Sequence, residues 1–272
     1  MAKKTKYIFL FIVVVSGLYF AEKWVDRQKE TYPTITHEST PNTFEEFSKD
    51  FLPTSTTGVI VQHAYFTLSY SESHEQAEWV AYELSKKQLS QNEFERPYFI
   101  EDREVETGSA DWRNYKKSGY DRGHLCPAGD RRFSYQAYLE TFLTSNISPQ
   151  NHEFNAHVWN YLEQNVRFWA KKYDGVFVIT GGVLQPGLPS IGEEKVSVPE
   201  EFYKIVVDIQ KGNYKVLAFL IPNQPTDKSF YDFVTTIDAI EAKTGIDFLH
   251  HLPDTLENEL EASVDLKSWG KG

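Results

Sequence analysis

Apolar residues along the chain follow two kinds of pattern. In VFVIT, FYKIVVDI and KVLAFLI they run almost unbroken and are rich in branched and aromatic types, which predicts three buried strands; the glycine-rich TGGVLQPGLPSIGEE separates the first from the second. GVIVQHAYFTLSY, Gly58 to Tyr70, has the same composition and predicts one or two more. Helical spacing governs HEFNAHVWNYLEQNVRFWAKKY, where Phe154, Val158, Tyr161, Leu162, Val166 and Trp169 form one apolar stripe of a long amphipathic helix. A second helix is predicted over SHEQAEWVAYELS, since Ser73 and Gln76 have capping-box spacing ahead of helically spaced apolar residues. A third is predicted from Ser229 to Lys243, stopped by Gly245. Residues 101–132 are loop-like. Strands and helices do not alternate regularly, so the expected class is α+β, an antiparallel or mixed sheet flanked by helices.

The amino end breaks this pattern. Lys3, Lys4 and Lys6 precede an uncharged apolar run, Tyr7 to Ala21, of signal-peptide length and shorter than the roughly 20 residues that span a bilayer comfortably. Residues 1–21 are therefore expected to be a signal peptide or membrane anchor. The lysines favour a cytoplasmic amino end, so an uncleaved segment 7–21 would contact the membrane and leave the rest outside; cleavage would release a periplasmic or secreted domain. Residues 22–42 are polar and proline-punctuated, as a linker is, and a single folded domain is expected over residues 43–265.

Composition narrows the chemistry. The chain has 272 residues and one cysteine, Cys126, which excludes an intramolecular disulfide and a cysteine-built zinc cage. A net charge of −11 argues against a general polyanion binder, yet residues 101–132 run the other way, with Arg113, Lys116, Lys117, Arg122, Arg131 and Arg132 against Asp111, Asp121 and Asp130. Inside this basic stretch lies SGYDRGHLCPAGDRR, with Asp121, Arg122 and His124 in four adjacent positions. Four polar residues alone most often make a solvated turn. Downstream, however, come TSNISPQ and then Asn155, Glu163 and Arg167, at spacings of eight and four that put the three on a broad common helix face.

Asp-Arg-Gly-His, then Ser-Asn-Ile-x-Pro-Gln, then Asn-x3-Trp-x2-Leu-Glu-x3-Arg, in this order, resembles the DNA/RNA non-specific endonucleases of the ββα-metal superfamily, the group that includes mitochondrial endonuclease G. The likeness continues through VFVITGGVL, VPEEFYKI and PNQ and covers about residues 58–250. It implies the ββα-metal nuclease fold and hydrolysis of phosphodiester bonds in DNA and RNA, with nucleic acid held through its phosphate backbone. By the resemblance His124 is the general base, a task suited to a pKa near neutrality. Asn155 is the direct protein ligand of Mg²⁺, with Mn²⁺ as a substitute; one amide oxygen suffices for a hard cation that keeps several waters. Glu163 holds metal-bound waters, and Arg167 faces the scissile phosphate. Asn146 binds near the site, Arg122 is a further phosphate or structural contact, Asp121 belongs to the same motif, and Arg96 is the upstream phosphate-facing arginine, on a looser match of its flank ERPYF.

Two other classes compete. A catalytically inactive, membrane-anchored nucleic-acid or protein-binding module of the same fold needs the arginines, but neither a base nor a metal ligand. A serine or cysteine hydrolase lacks the G-x-S-x-G elbow and a Cys-His partner; Cys126 is read as structural. His250 and His251 are adjacent and point apart in this reading, so they carry no second metal site. The sequence is silent on oligomeric state.

Overall fold

The computed structural model describes residues 11, 13–21, 51–90, 92–210 and 213–270. They belong to two units, which are taken separately. In the first, residues 13–21 are helical with exposed side chains. Among the described residues no helix is long and apolar enough to cross a membrane. The expected linker 22–42 and the expected domain start at Thr43 lie outside the described residues.

The second unit is built on a seven-stranded antiparallel sheet. Its strands are β1 (Ile60–Gln62), β2 (Thr67–Ser71), β3 (Gln76–Ser85), β6 (Gly175–Gly182), β9 (Glu201–Gln210), β10 (Asn213–Pro222) and β11 (Val234–Thr235), in the spatial order β1-β2-β3-β6-β9-β10-β11. Two small antiparallel pairs stand apart from it: β4 (Asp121–His124) with β5 (Ile147–Gln150), and β7 (Ser190–Ile191) with β8 (Val196–Ser197). The helices are α1 (Tyr135–Glu140), α2 (Asn160–Lys172), α3 (Ile237–Thr244) and α4 (Asp254–Glu261).

Both faces of the sheet are covered, which explains why its strands are almost continuously apolar. On one face Trp79, Ala81, Phe177, Ile179, Ile205 and Val207 meet Ile237, Ile240, Phe248 and Leu249 around α3, and Leu256 and Leu260 of α4 pack against them. On the other face α2 and the turn before it are laid down by their stripe: Trp169 stacks on Phe219 with ring centroids 6.2 Å apart, and Phe154, ahead of α2, stacks on Phe202 at 5.4 Å. Removing such a buried ring costs about 3–5 kcal/mol, so the site helix is held firmly.

The helix expected over Ser73–Ser85 is the strand β3. With both its faces buried, apolar residues fall at helical as well as alternating positions and the period carries no information. Gln76 does not cap anything; its Nε2 donates to the Ser197 carbonyl at 2.6 Å and its Oε1 accepts from Ser148 Oγ at 2.5 Å. The helix expected from Ser229 is divided into a 3₁₀ turn (Phe230–Phe233), β11 and α3, which starts at Ile237 behind the Thr236 cap. Its stop is where expected: Gly245 has φ 70°, a left-handed conformation that glycine adopts freely. Asp121–His124 lies in a loop-like stretch but is itself the strand β4.

Candidate active site

The motif strand β4 runs antiparallel to β5, with Asp121 opposite Gln150 and His124 opposite Ile147, and the chain then enters the helical segment that ends in α2. Gly123 is required because the buried Gln150 side chain lies over it, where a Cβ would overlap its amide. Asn151 starts the helix, its Oδ1 accepting from the amides of Glu153 (3.0 Å) and Phe154 (3.3 Å). Asn223, the middle residue of PNQ, fixes that corner: its Oδ1 accepts from Asn151 N (2.8 Å) and its Nδ2 donates to the carbonyls of Pro149 (3.1 Å) and Pro199 (2.9 Å). Strand, strand and helix are thus clamped at one point.

His124 sits between Phe99 and Phe142, at ring-centroid distances of 5.6 and 5.1 Å. Its Nε2 is buried and has no hydrogen-bond partner among the described residues. Burial and then the guanidinium groups of Arg96 and Arg122 push its pKa down to about 3. The imidazole is therefore neutral near pH 7, with a free ring nitrogen when Nε2 carries no proton. Its pKa lies well below the near-neutral value expected from the sequence, because burial and the two arginines disfavour the charged ring. Arg122 lies 4.7 Å over the Phe99 ring, and Arg96 lies 5.7 Å over the same ring. Both line a cleft of about 550 Å³ together with Lys116, Lys117, Asp121 and Asn155. This is the basic patch that the net charge conceals.

Asn155 donates from Nδ2 to Asp121 Oδ2 at 2.9 Å, and His152 Nδ1 approaches the same oxygen at 3.0 Å. Asp121 therefore orients the amide and leaves Asn155 Oδ1 as an available hard oxygen, the donor type that suits Mg²⁺. Residues Phe154–Trp159 form a π-helical turn ahead of α2. Such a turn takes up about one extra residue, so the angular offsets of Glu163 and Arg167 from Asn155 change from about 80° and 120° to within about 20° either side. The irregularity turns a broad face into a row.

Along that row Arg167 Nη1 donates to Asp130 Oδ1 at 3.0 Å, while Tyr82 donates its hydroxyl to Oδ2 at 3.0 Å. Arg167 Nη2 is 4.0 Å from Glu163 Oε2. The Glu163 carboxyl is raised to about 7: burial raises it, Lys204 opposes, Asp130 adds, and Arg167 opposes again. Lys204 is fully buried, its ammonium without a hydrogen-bond partner among the described residues and 4.6 Å over the Trp159 ring. Arg167 also lines a second cleft, of about 690 Å³, with Lys86, Arg132, Phe168 and Lys171.

Three expectations change. Asn146 is fully buried and its amide is consumed by backbone: Oδ1 accepts from Cys126 N (2.8 Å), and Nδ2 donates to the carbonyls of Cys126 (3.0 Å) and Thr141 (2.9 Å). It holds the turn after His124 and contacts no open space. Arg131 leaves the basic patch, since it is 1% exposed and donates to the carbonyls of Tyr65 and Glu83. Asp121, Arg122, Arg96 and Asn155 share one cleft, whereas Arg167 lines the other. Cys126 is buried and its thiol is pushed up to about 12, so it is unreactive. Asp130 and Lys204 were missed as site residues; a lysine inside the apolar run FYKIVVDI was the available signal.

A hairpin, a helix entered through a polar corner, a neutral histidine and a row of asparagine, glutamate and arginine define the ββα-metal nuclease class. The pattern of the DNA/RNA non-specific endonuclease family matches residues 45–255, and the chain belongs to that family. It is 35% identical over 198 residues to "Nuclease EXOG, mitochondrial" of Danio rerio, an alignment covering 66% of this chain and 58% of that protein's length. It is 32% identical over 224 residues to "Mitochondrial nuclease" of Saccharomyces cerevisiae, covering 74% of this chain and 68% of the relative. The solved structure of the EndoG/EndoGI complex contains a chain that superposes with TM-score 0.66 at 29% identity, covering 71% of this chain and 86% of that one.

Proposed function

We propose that this chain is a metal-dependent nuclease that hydrolyses phosphodiester bonds of DNA and RNA, with His124 as general base and Mg²⁺, or Mn²⁺ in its place, bound through Asn155. The observation that carries the reading is the His124 Nε2, buried without a partner on a neutral ring beside an arginine-lined cleft. Leaving such an atom unpaired costs about 1–3 kcal/mol, which a water or substrate group at this nitrogen would offset. His124 takes the proton of the attacking water at this nitrogen. Asp121 aims the Asn155 amide, and Glu163 accepts hydrogen bonds from waters held there. Arg122 and Arg96 bind phosphate oxygens on one side and Arg167 on the other. When bound, the ion supplies positive charge against the oxygens that become more negative as the phosphodiester is cut. Arginines and an ion on phosphate carry no base information, so cleavage is indifferent to sequence.

The apolar segment 7–21 exports the domain, either as an outward-facing membrane anchor or as a cleaved signal; full-length protein soluble in the cytoplasm would overturn this. Plasmid and RNA incubated with the purified full chain are degraded in Mg²⁺ and stay intact with chelator. Intact substrate in both conditions would instead favour the inactive binding module.

A further inference from the structure

Far along the chain from the DRGH motif, the end of the fold gathers carboxylates. Asp238 and Glu241 belong to α3, Asp247 to the turn after it, and Glu257 and Glu261 to α4. Asp238, Glu241 and Glu261 bring one oxygen each within 4.8 Å of one another, and so do Asp247, Glu257 and Glu261. Glu261 is common to both sets. It is only 6% exposed; its carboxyl shares a hydrogen bond with Glu241, and its Oε1 is buried with no hydrogen-bond partner among the described residues. Burying one carboxylate oxygen unpaired, among four further carboxylates, is costly unless something positive sits against it.

Among the described residues no lysine or arginine acts on Glu261; His250 faces Asp247, but burial and then His251 lower its pKa, so it supplies no cation near neutral pH. The charged groups that act on Glu261 are Glu241, Glu257 and Asp247, and those that act on Glu257 are Asp247 and Asp254. The nearby Lys243 is engaged with Glu201 on β9. Glu241 is anchored by its Oε1, which accepts from Phe248 N at 2.9 Å, so the cluster is tied to the backbone. We propose that these five side chains form a divalent-cation site for Ca²⁺, separate from the Asn155 site, with Glu261 as the central ligand and α3 and α4 cross-linked through it. The donor set favours Ca²⁺, which takes roughly six to eight oxygen ligands, carboxylates among them, in flexible geometry. Mg²⁺ demands about 2.0–2.1 Å and keeps several waters, so an all-carboxylate cage suits it less. The ion ties α4, whose Leu256 and Leu260 pack on the sheet, to the body of the fold.

The purified full chain, freed of divalent ions with a chelator, is titrated with CaCl₂ or MgCl₂ while its Tm is followed. The expected affinity is about 10⁻⁴–10⁻³ M for Ca²⁺. A rise in Tm of about 4 °C is expected at ten times that concentration, with a smaller one in Mg²⁺. Glu261→Gln abolishes the Ca²⁺ response, while its Tm without ions equals or exceeds that of the unaltered chain, because repulsion is relieved. If that variant does not fold, Glu257→Gln, which is only partly buried, shows a response reduced by half or more. Asn155→Ala keeps the full response. An absent Ca²⁺ response in the unaltered chain, an undiminished response in whichever glutamine variant folds, or a response lost with Asn155→Ala overturns the proposal.

Discussion

Glu163 and Glu261 are both glutamates on helices, the first partly and the second almost wholly buried, and both carboxyls are pushed up, to about 7 and about 8. Burial is the first cause in each, but the neighbours differ. Around Glu163 stand Lys204 and Arg167, which oppose the shift, and one carboxylate, Asp130. Around Glu261 stand Glu241, Glu257 and Asp247, all of which deepen it. The first glutamate sits in a cationic frame that keeps it close to ionising and able to accept hydrogen bonds; the second sits in a frame that lacks the positive charge it needs. The same residue type and the same direction of shift therefore arise in opposite electrostatic frames, the one proposed for turnover and the other for ion binding.

The largest effect should come from the catalytic side. His124→Ala is expected to lower plasmid cleavage by about 10²–10⁴ while leaving DNA affinity and Mg²⁺ dependence nearly unchanged, since loss of a general base removes little ground-state binding. Added imidazole is expected to return part of the rate. Near-normal cleavage at neutral pH would remove His124 from its role, and a Ca²⁺ effect on Tm should survive in this variant. Asn155→Ala comes next: the Mg²⁺ concentration for half-maximal rate should rise by about tenfold or more, and excess Mg²⁺ should recover part of the activity. Imidazole should not help it.

Lys204→Met sharpens the comparison directly, because it takes from Glu163 its largest opposing charge and makes its frame resemble that of Glu261. Without Lys204 the folded Glu163 holds its proton to higher pH. Cleavage at pH 7 is then expected to fall by about three- to tenfold and to recover as pH rises, one pKa unit being a tenfold change in the ionised fraction. Full pH–rate profiles of the two proteins test this, and superimposable profiles would show that Lys204 only fills space.

These residues were unequally legible in the sequence. Asp121, Arg122, His124, Asn155, Glu163 and Arg167 were readable because a motif with order and spacing survives without coordinates. The three buried strands were equally plain, since VFVIT, FYKIVVDI and KVLAFLI have both faces covered and need no alternation. The same burial misled in β3, where a strand apolar on both faces imitates a helix. Asn146 was read as a binding residue because position in a motif does not reveal where an amide points; its three backbone hydrogen bonds do. The π-helical turn at Phe154–Trp159 was invisible, because one residue's worth of rotation leaves no mark on composition. The acidic cluster was invisible for another reason: Asp238 and Glu261 lie 23 positions apart, and only the docking of α4 beside α3 brings them together.

The smallest effect belongs to the acidic region without Ca²⁺. A carboxyl near 4.3 in the unfolded chain and about 8 when folded binds its proton more tightly in the native state, so between these values the folded protein holds more protons than the unfolded one. Stability then falls as pH rises through that window, the reverse of a salt-bridged carboxylate. The groups that face Glu261 push the same way, because Glu241 and Glu257 are also raised. Raising the pH from about 5 to about 8 in chelator should therefore lower Tm further in the unaltered chain than in Glu261→Gln, which has no proton to lose there. His124 contributes the opposite slope below about 6.5, being depressed in the folded state, and that slope is common to both proteins and cancels in the difference. Saturating Ca²⁺ should remove the difference, because the ion takes the place of the proton on Glu261. Parallel Tm-against-pH curves in chelator would mean that Glu261 ionises at its ordinary pH when folded, and the contrast with Glu163 would lose its basis.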